Sequence, residues 1–561
     1  MKNIKAIIIT LIVAIAATFA ISGNFTSTSP KDAFGHTNSI EHKTYPHQEI
    51  DLTERLEDGK ELTVNDLRRG YKNGAFTVTQ VVQAHLEHIE EFEDTYNAFT
   101  FINEHALQEA SEIQDRINKK QSPGRLAGVP VVIKETVDVS GFPSTFGWEG
   151  FSKEAGGIEL MPQVDAPIVQ KLKEEGAIIL GKTNMPAFSI SATNANTSWA
   201  GETLNAINPD FAPGGSSSGT ATAVSGNLAV LGIAAETGGS IQNPAASQAL
   251  IGVKPTFGLV SNTGAAPFAA STRDVLGPHA RTVADAATML DVIAGTDPKD
   301  SKTEKADAHL PEEGYAASLS EDALEGKRIG LYGPGWRGES LSPETKELYD
   351  RAIQELEAQG AEVVTDPFAG SGFAEYVKAT GNIGYDALVY DIQTYLNRMD
   401  PKGEIPTVTE LFNQSETKPW AAGQPLQNFD ETELQMNLQN PEQQPDLDYF
   451  FEARSKFQSY INEVMEKHDL DAFVYPQMAA EIPPLEEGIH QPTAAPEVNI
   501  SGQPLVTVPA GYYQSGTPFS LAFFGKMWSE ADLLAMAYDY EQATQYRDIP
   551  VLESESAAYA N

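Results

Sequence analysis

The chain has 561 residues, 41% of them hydrophobic, with 38 Lys+Arg against 78 Asp+Glu for a formal net charge of -40, and no cysteine. That length and hydrophobic fraction suit a globular protein with a sizeable core and exclude a disordered chain or a fibre. The shortage of cations argues against nucleic acid as a partner, because phosphates need clustered positive charge, and the absence of thiols excludes disulfides, thiolate catalysis and cysteine-based zinc sites.

Two readings of the acidity stay open: a solvated surface that keeps an exported protein soluble, and adaptation to saline surroundings. Residues 1–22 read as a signal peptide. Lys2 and Lys5 give a positive start, Ala6 to Ala20 is almost wholly apolar, and Thr18 with Ala20, or Ala20 with Ser22, suits a cleavage site. Export to the periplasm or the medium follows, and the protein meets a membrane only if this segment stays uncleaved. Residues 23–55 form a polar arm, and 56–552 are expected to form the catalytic domain.

In that domain, Leu62 to Tyr71 reads as a short amphipathic helix and Thr77 to Asn97 as a longer one, with Val81, Val82, Leu86, Ile89 and Phe92 at helical spacing. His85 and His88 share that helix, but two ligands alone do not make a metal site, and none is expected. Gly128 to Ile133, closed by Lys134, reads as a buried strand, as do Ile178 to Leu180 and Asn227 to Ala235. Helical patterns at Ala166 to Glu175 and Ala280 to Ile293 lie between and after them. Further on come a polar crossing over 297–325, a strand at Lys327 to Tyr332 and a helix at Pro343 to Gln359. Residues 400–447 lack periodicity and read as an irregular excursion. A helix (Tyr449 to His468), strands at Ala472 to Tyr475 and Leu505 to Val508, and a closing helix (Glu530 to Thr544) complete the chain. Alternating short buried strands and helices predict one large α/β domain, with a central, twisted, mixed and largely parallel sheet covered by helices on both faces.

Four stretches bear chemistry. Pro213-Gly214-Gly215-Ser216-Ser217-Ser218-Gly219 reads as a tight turn opening into a helix, whose first N–H groups are free. Glu236-Thr237-Gly238-Gly239-Ser240 ends a strand with glycines that let several N–H groups point one way, as an oxyanion hole beside a nucleophile requires. Lys134 either snorkels to solvent or, if buried, becomes a base usable at neutral pH. Gly252 to Gly258 reads as a strand and turn that packing alone explains. Two rival motifs fail on context. Gly215-Ser216-Ser217-Ser218-Gly219 fits a nucleophile elbow centred on Ser217, but no strand leads into it. Ser415 and Lys418 fit S-x-x-K, but Pro419 opposes the helix this needs.

Together these stretches resemble the amidase signature family, most closely its peptide-amidase-like branch. Members carry G-V-P-x-x-x-K, P-G-G-S-S-G-G, D-T-G-G-S-I-R-x-P-A and G-x-K-P-T-x-G. This chain matches with Gly128-Val129-Pro130 through Lys134, Gly214 to Gly219, Thr237 to Ile241 with Pro244-Ala245, and Gly252 to Gly258. Asn205, Asn208 and Pro209, Arg281 to Ala286 and Val508 to Gly511 extend the likeness over about residues 60–550. The resemblance implies Ser240 as nucleophile, Ser216 as a bridging serine in a cis peptide, Lys134 as base and Ser217 as a supporting residue. It places the oxyanion hole at Thr237, Gly238, Gly239 and the Ser240 N–H. It also implies hydrolysis of a small-molecule amide or peptide amide to acid plus ammonia or amine, without metal or cofactor. Glu236 and Gln242 stand where Asp and Arg are common, and both are read as flanking residues without a role. Specificity is assigned to loops 142–165, 195–206 and 370–450. The alternatives are an inactive binding protein on the same scaffold and an amidotransferase A-like subunit.

Overall fold

The computed structural model describes residues 61–333, 340–399, 405–490, 493 and 495–553. The expected leader and polar arm therefore lie outside the described residues. Within them, the helix Val78–Tyr96 forms where its apolar positions recur. Thr77 caps its start in a reciprocal bond pair with Gln80, and Asn97 ends it in the left-handed conformation.

Eleven strands make one sheet: β1 (Phe99–Ile102), β2 (Pro130–Lys134), β3 (Ile178–Thr183), β4 (Leu231–Glu236), β5 (Ile251–Lys254), β6 (Val275–Ala280), β7 (Arg328–Leu331), β8 (Glu362–Val364), β9 (Ala472–Pro476), β10 (Leu505–Tyr512) and β11 (Pro518–Phe524). Their order is β1-β3-β2-β4-β6-β5-β10-β11-β9-β7-β8. The α/β class and mixed sheet agree with the sequence reading, but the balance of directions does not. Parallel pairing is confined to β3-β2-β4 and β9-β7-β8, and all other neighbours are antiparallel. The cause is three of the strands that the sequence hid, of which β1 lies antiparallel to β3 at the edge. β6 follows β5 and returns beside it, and β11 folds straight back on β10 without a crossover helix.

Each inner strand is buried on both faces. In β2, Val131 and Ile133 join one apolar cluster with the helices Pro167–Glu174, Val283–Ile293, Pro343–Ala358 and Glu530–Thr544. Val132 faces the opposite cluster with Val78–Tyr96, Ala106–Asn118 and Ser218–Ser225. Helices thus cover both faces, and alternate residues of one strand serve two cores.

Residues 400–447 are not merely irregular. Helices Val408–Gln414 and Glu431–Gln439 pack with Leu388–Met399 into a separate cluster over Phe146, Trp148 and Phe188. Asp138, fully buried, ties this cap to the core by accepting from Tyr395 Oη at 2.6 Å and Arg398 Nη1 at 3.0 Å.

Candidate active site

Parallel pairing of β2 with β4 brings their C-terminal ends to the same edge, the usual place for a site in such sheets. Lys134 ends β2 and is fully buried. Its Nζ donates to Ser216 Oγ at 2.7 Å and to the Ala235 carbonyl of β4 at 3.2 Å. Burial pushes the ammonium pKa down to about 7, against the opposing pull of Asp274, Glu236 and Glu135. The snorkelling alternative is thereby closed.

Ser216 enters through a cis peptide bond from Gly215. The glycines before it answer close approaches. A Cβ on Gly214, whose φ is +80, would lie 2.4 Å from Pro244 Cα, and one on Gly215 would lie 2.4 Å from the Ser191 carbonyl. The Gly214 contact presses the Ser216 turn against the chain just beyond Ser240. Ser217 stands at the N-cap position of the helix Ser218–Ser225 and ties it to β4, its Oγ making no cap bond but donating to the Ala235 carbonyl at 3.2 Å and accepting from the Ala235 N–H at 3.3 Å. That engagement suits a supporting residue.

Ser240 closes the loop after β4 and is 8% exposed. Gly239 sits at φ +110, where a side chain would be strained. Among the described residues, the backbone N–H groups of Thr237, Gly238, Gly239 and Ser240 form no hydrogen bond. Free donors beside a serine are what a developing oxyanion needs.

Three residues that the sequence reading left without a role hold this loop. Glu236 is not idle: Oε2 accepts from the N–H groups of Ile241 (2.8 Å) and Gln242 (3.2 Å), while Oε1 accepts from Gln242 Nε2 and from Asn499 Nδ2 (2.9 Å). Asp274 accepts from Thr237 Oγ1 at 2.5 Å and from the N–H groups of Phe268 and Ala269, both at 2.9 Å. His279 Nε2 donates to the Ile241 carbonyl at 2.8 Å, and burial lowers its pKa to about 4, so it is neutral. An aspartate and a histidine flanking and entering the apolar run Val275–Ala280 were the available clues. The bonds to Glu236 had none, because two come from backbone N–H groups and one from Asn499, far along the chain.

The other singled-out residues lie elsewhere. His85 Nδ1 donates to the Val81 carbonyl at 2.8 Å and His88 Nε2 faces the Gly226 carbonyl, so both are built into helix packing. Lys418 Nζ donates to the carbonyls of Phe412, Asn413 and Ser415, closing the end of the helix Val408–Gln414 rather than activating Ser415.

The Amidase family model matches residues 80–534. The crystal structure of peptide amidase from Stenotrophomonas maltophilia is 30% identical, covers 89% of this chain and all of its own, and superposes with a TM-score of 0.68. An amidase family protein from Bacillus anthracis is 26% identical over 89% of this chain and 94% of its own, with a TM-score of 0.67. A glutamyl-tRNA(Gln) amidotransferase subunit from Alkaliphilus metalliredigens is 30% identical over 503 residues, 86% of this chain and 96% of that protein. With its α/β fold and its hydrogen-bonded Lys134–Ser216 pair, the chain belongs to the amidase family and resembles its peptide-amidase branch.

Proposed function

We propose that this protein is an exported serine amidase that hydrolyses linear carboxylic amides through an acyl-enzyme on Ser240. The observation that carries the reading is a fully buried lysine with a pKa near neutrality, hydrogen-bonded to Ser216 and to the Ala235 carbonyl of the strand that runs into the Ser240 loop. Neutral Lys134 draws a proton through Ser216 as Ser240 attacks the amide carbonyl. The carbonyl oxygen becomes anionic and takes the free N–H groups of Thr237 to Ser240. The proton returns by the same path to the leaving nitrogen, and water then releases the acid. The substrate is a small amide or a peptide amide, the class named by the peptide amidase relative.

Because the neutral amine is the base, kcat/KM rises with pH along a limb with an apparent pKa of about 7. A pH-rate profile between 5 and 9 checks this, and a flat profile removes Lys134 as base. Labelling with a fluorophosphonate and mapping the modified peptide tests the rest. Adduct on Ser240, lost in Lys134→Ala, supports the mechanism, whereas adduct on Ser217 overturns it. Export rests on residues 1–22. The expected result is recovery outside the cytosol, with retention inside when residues 2–22 are removed; equal distribution of both forms removes export.

A second reading, an amidotransferase A-like subunit, is favoured by the relatives that carry the amidotransferase name. Turnover of simple amides by this chain alone supports the first reading. Ammonia release from glutamine only in the presence of partner proteins supports the second.

A further inference from the structure

The loop ending in Ser240 is barest at Gly238. A side chain placed there would meet a single atom within 4 Å, the Tyr385 hydroxyl at 3.7 Å. Tyr385 comes from the cap side of the molecule, just before the helix Leu388–Met399. Its hydroxyl accepts from Arg273 Nη1 at 2.6 Å and donates to Asn382 Oδ1 at 3.3 Å, while Arg273 Nη1 also donates to Asn382 Oδ1 at 2.7 Å. The guanidinium carbon lies 4.8 Å from the centre of the Tyr385 ring.

Arg273 is unusual. It is 1% exposed, forms no ion pair with a carboxylate among the described residues, and leaves Nε and Nη2 without acceptors. A cation withdrawn from water in this way is costly to keep. What it does in this fold is clamp one phenol. With its oxygen receiving from Arg273, the Tyr385 O–H is polarised, and its long bond to Asn382 Oδ1 is the one that a substrate acceptor beside Gly238 would replace. Phe268 lies 5.4 Å from Tyr385 and 5.9 Å from Phe429, between ring centres, and all three rings are partly exposed. They form an aromatic cluster that touches the loop through the Tyr385 hydroxyl.

We propose that Tyr385, clamped by Arg273 and Asn382, contacts the substrate's acyl group over the Gly238 loop, and that with Phe268 and Phe429 it selects amides of aromatic or branched apolar acids. The inference rests on the amidase reading above. The hydroxyl steers the reacting carbonyl and the rings supply apolar contact area.

The test uses the full chain and the variants Tyr385→Phe and Tyr385→Ala, assayed on phenylacetamide, isovaleramide and acetamide, with fluorophosphonate titration of Ser240 counting intact sites. Wild type is expected to prefer phenylacetamide. Tyr385→Phe keeps the cluster and loses the hydroxyl, so kcat falls about tenfold with KM little changed and labelling intact. Tyr385→Ala removes the cluster as well, so KM for phenylacetamide rises about tenfold relative to acetamide and the preference collapses. Labelled, active wild type with both variants unchanged in constants and preference overturns the role of Tyr385 alone. Wild type that neither labels on Ser240 nor releases ammonia overturns the amidase reading, and this inference with it.

Discussion

Lys134→Met is expected to inactivate the protein and to stabilise it at the same time. Loss of the base costs about 10²- to 10⁴-fold in kcat, the range for a positioned general base. The same residue is a burden on the fold. Its pKa is about 7 in the folded state against the ordinary 10.5. Below pH 7 the amine is charged in both states, and the folded state bears the full cost of a buried cation. Above 10.5 it is neutral in both, and that cost is gone. At pH 7 the difference amounts to about 4 kcal/mol. A methionine of similar length removes it. Denaturant midpoints at pH 6, 8 and 10 check the prediction: the variant's advantage is largest at pH 6 and shrinks steadily upward. An advantage that does not change with pH would mean that Lys134 is not titrating inside the fold.

Glu236→Ala is expected to damage stability and catalysis together. Four donors converge on this carboxylate, two of them backbone N–H groups of the chain immediately after Ser240. Removing the acceptor strands those donors in a site that is 2% exposed, at a cost of about 3–5 kcal/mol. The loop then loses the tether that aims Ser240 and its neighbouring N–H groups, and displacement by about 1 Å is worth about 100-fold in kcat. Glu236→Gln does not rescue, because it turns a donor toward groups that are themselves donors. The paired change Glu236→Asp with Gln242→Arg restores the family's common arrangement, a shorter acid meeting a longer base. It is expected to recover most of the activity that Glu236→Asp alone loses. Independent effects of the two changes in a double-mutant cycle would show that the residues do not act as a pair.

Much of the fold and most of the site could be read from the residues alone. The helix Glu530–Thr544 agrees residue for residue with its expectation, and Pro343 and the Thr77/Asn97 pair mark helix ends by chemistry that needs no tertiary context. What was lost was lost for particular reasons. β6 contains Pro278 and His279, which argue against a central strand, and its last residue, Ala280, was taken for the start of the next helix. The cap helices are short and rich in Gln, Asn and Glu, so Val408, Leu411 and Phe412 gave too few turns to establish a period. At the site, Lys134, Ser216 and Ser240 were legible as motifs. The roles of Glu236, Asp274 and His279 were not, because each bonds to groups that only the folded loop presents to it.

The strand order also has a consequence in time. β1 to β6 occupy one contiguous half of the sheet, and that half ends at β5, whose outer neighbour is β10. Lys254 closes β5 and Leu505 opens β10, so a ribosome adding about 5–20 residues per second leaves that apolar edge without its partner for about ten to fifty seconds. Throughout that interval the nascent chain carries Lys134, Ser216 and Ser240 while still presenting an open strand edge to other chains. Yield at high expression is therefore governed by what covers Ile251–Lys254 during synthesis, and lower temperature or a holding chaperone is expected to raise it more than any change at Lys134, Ser216 or Ser240.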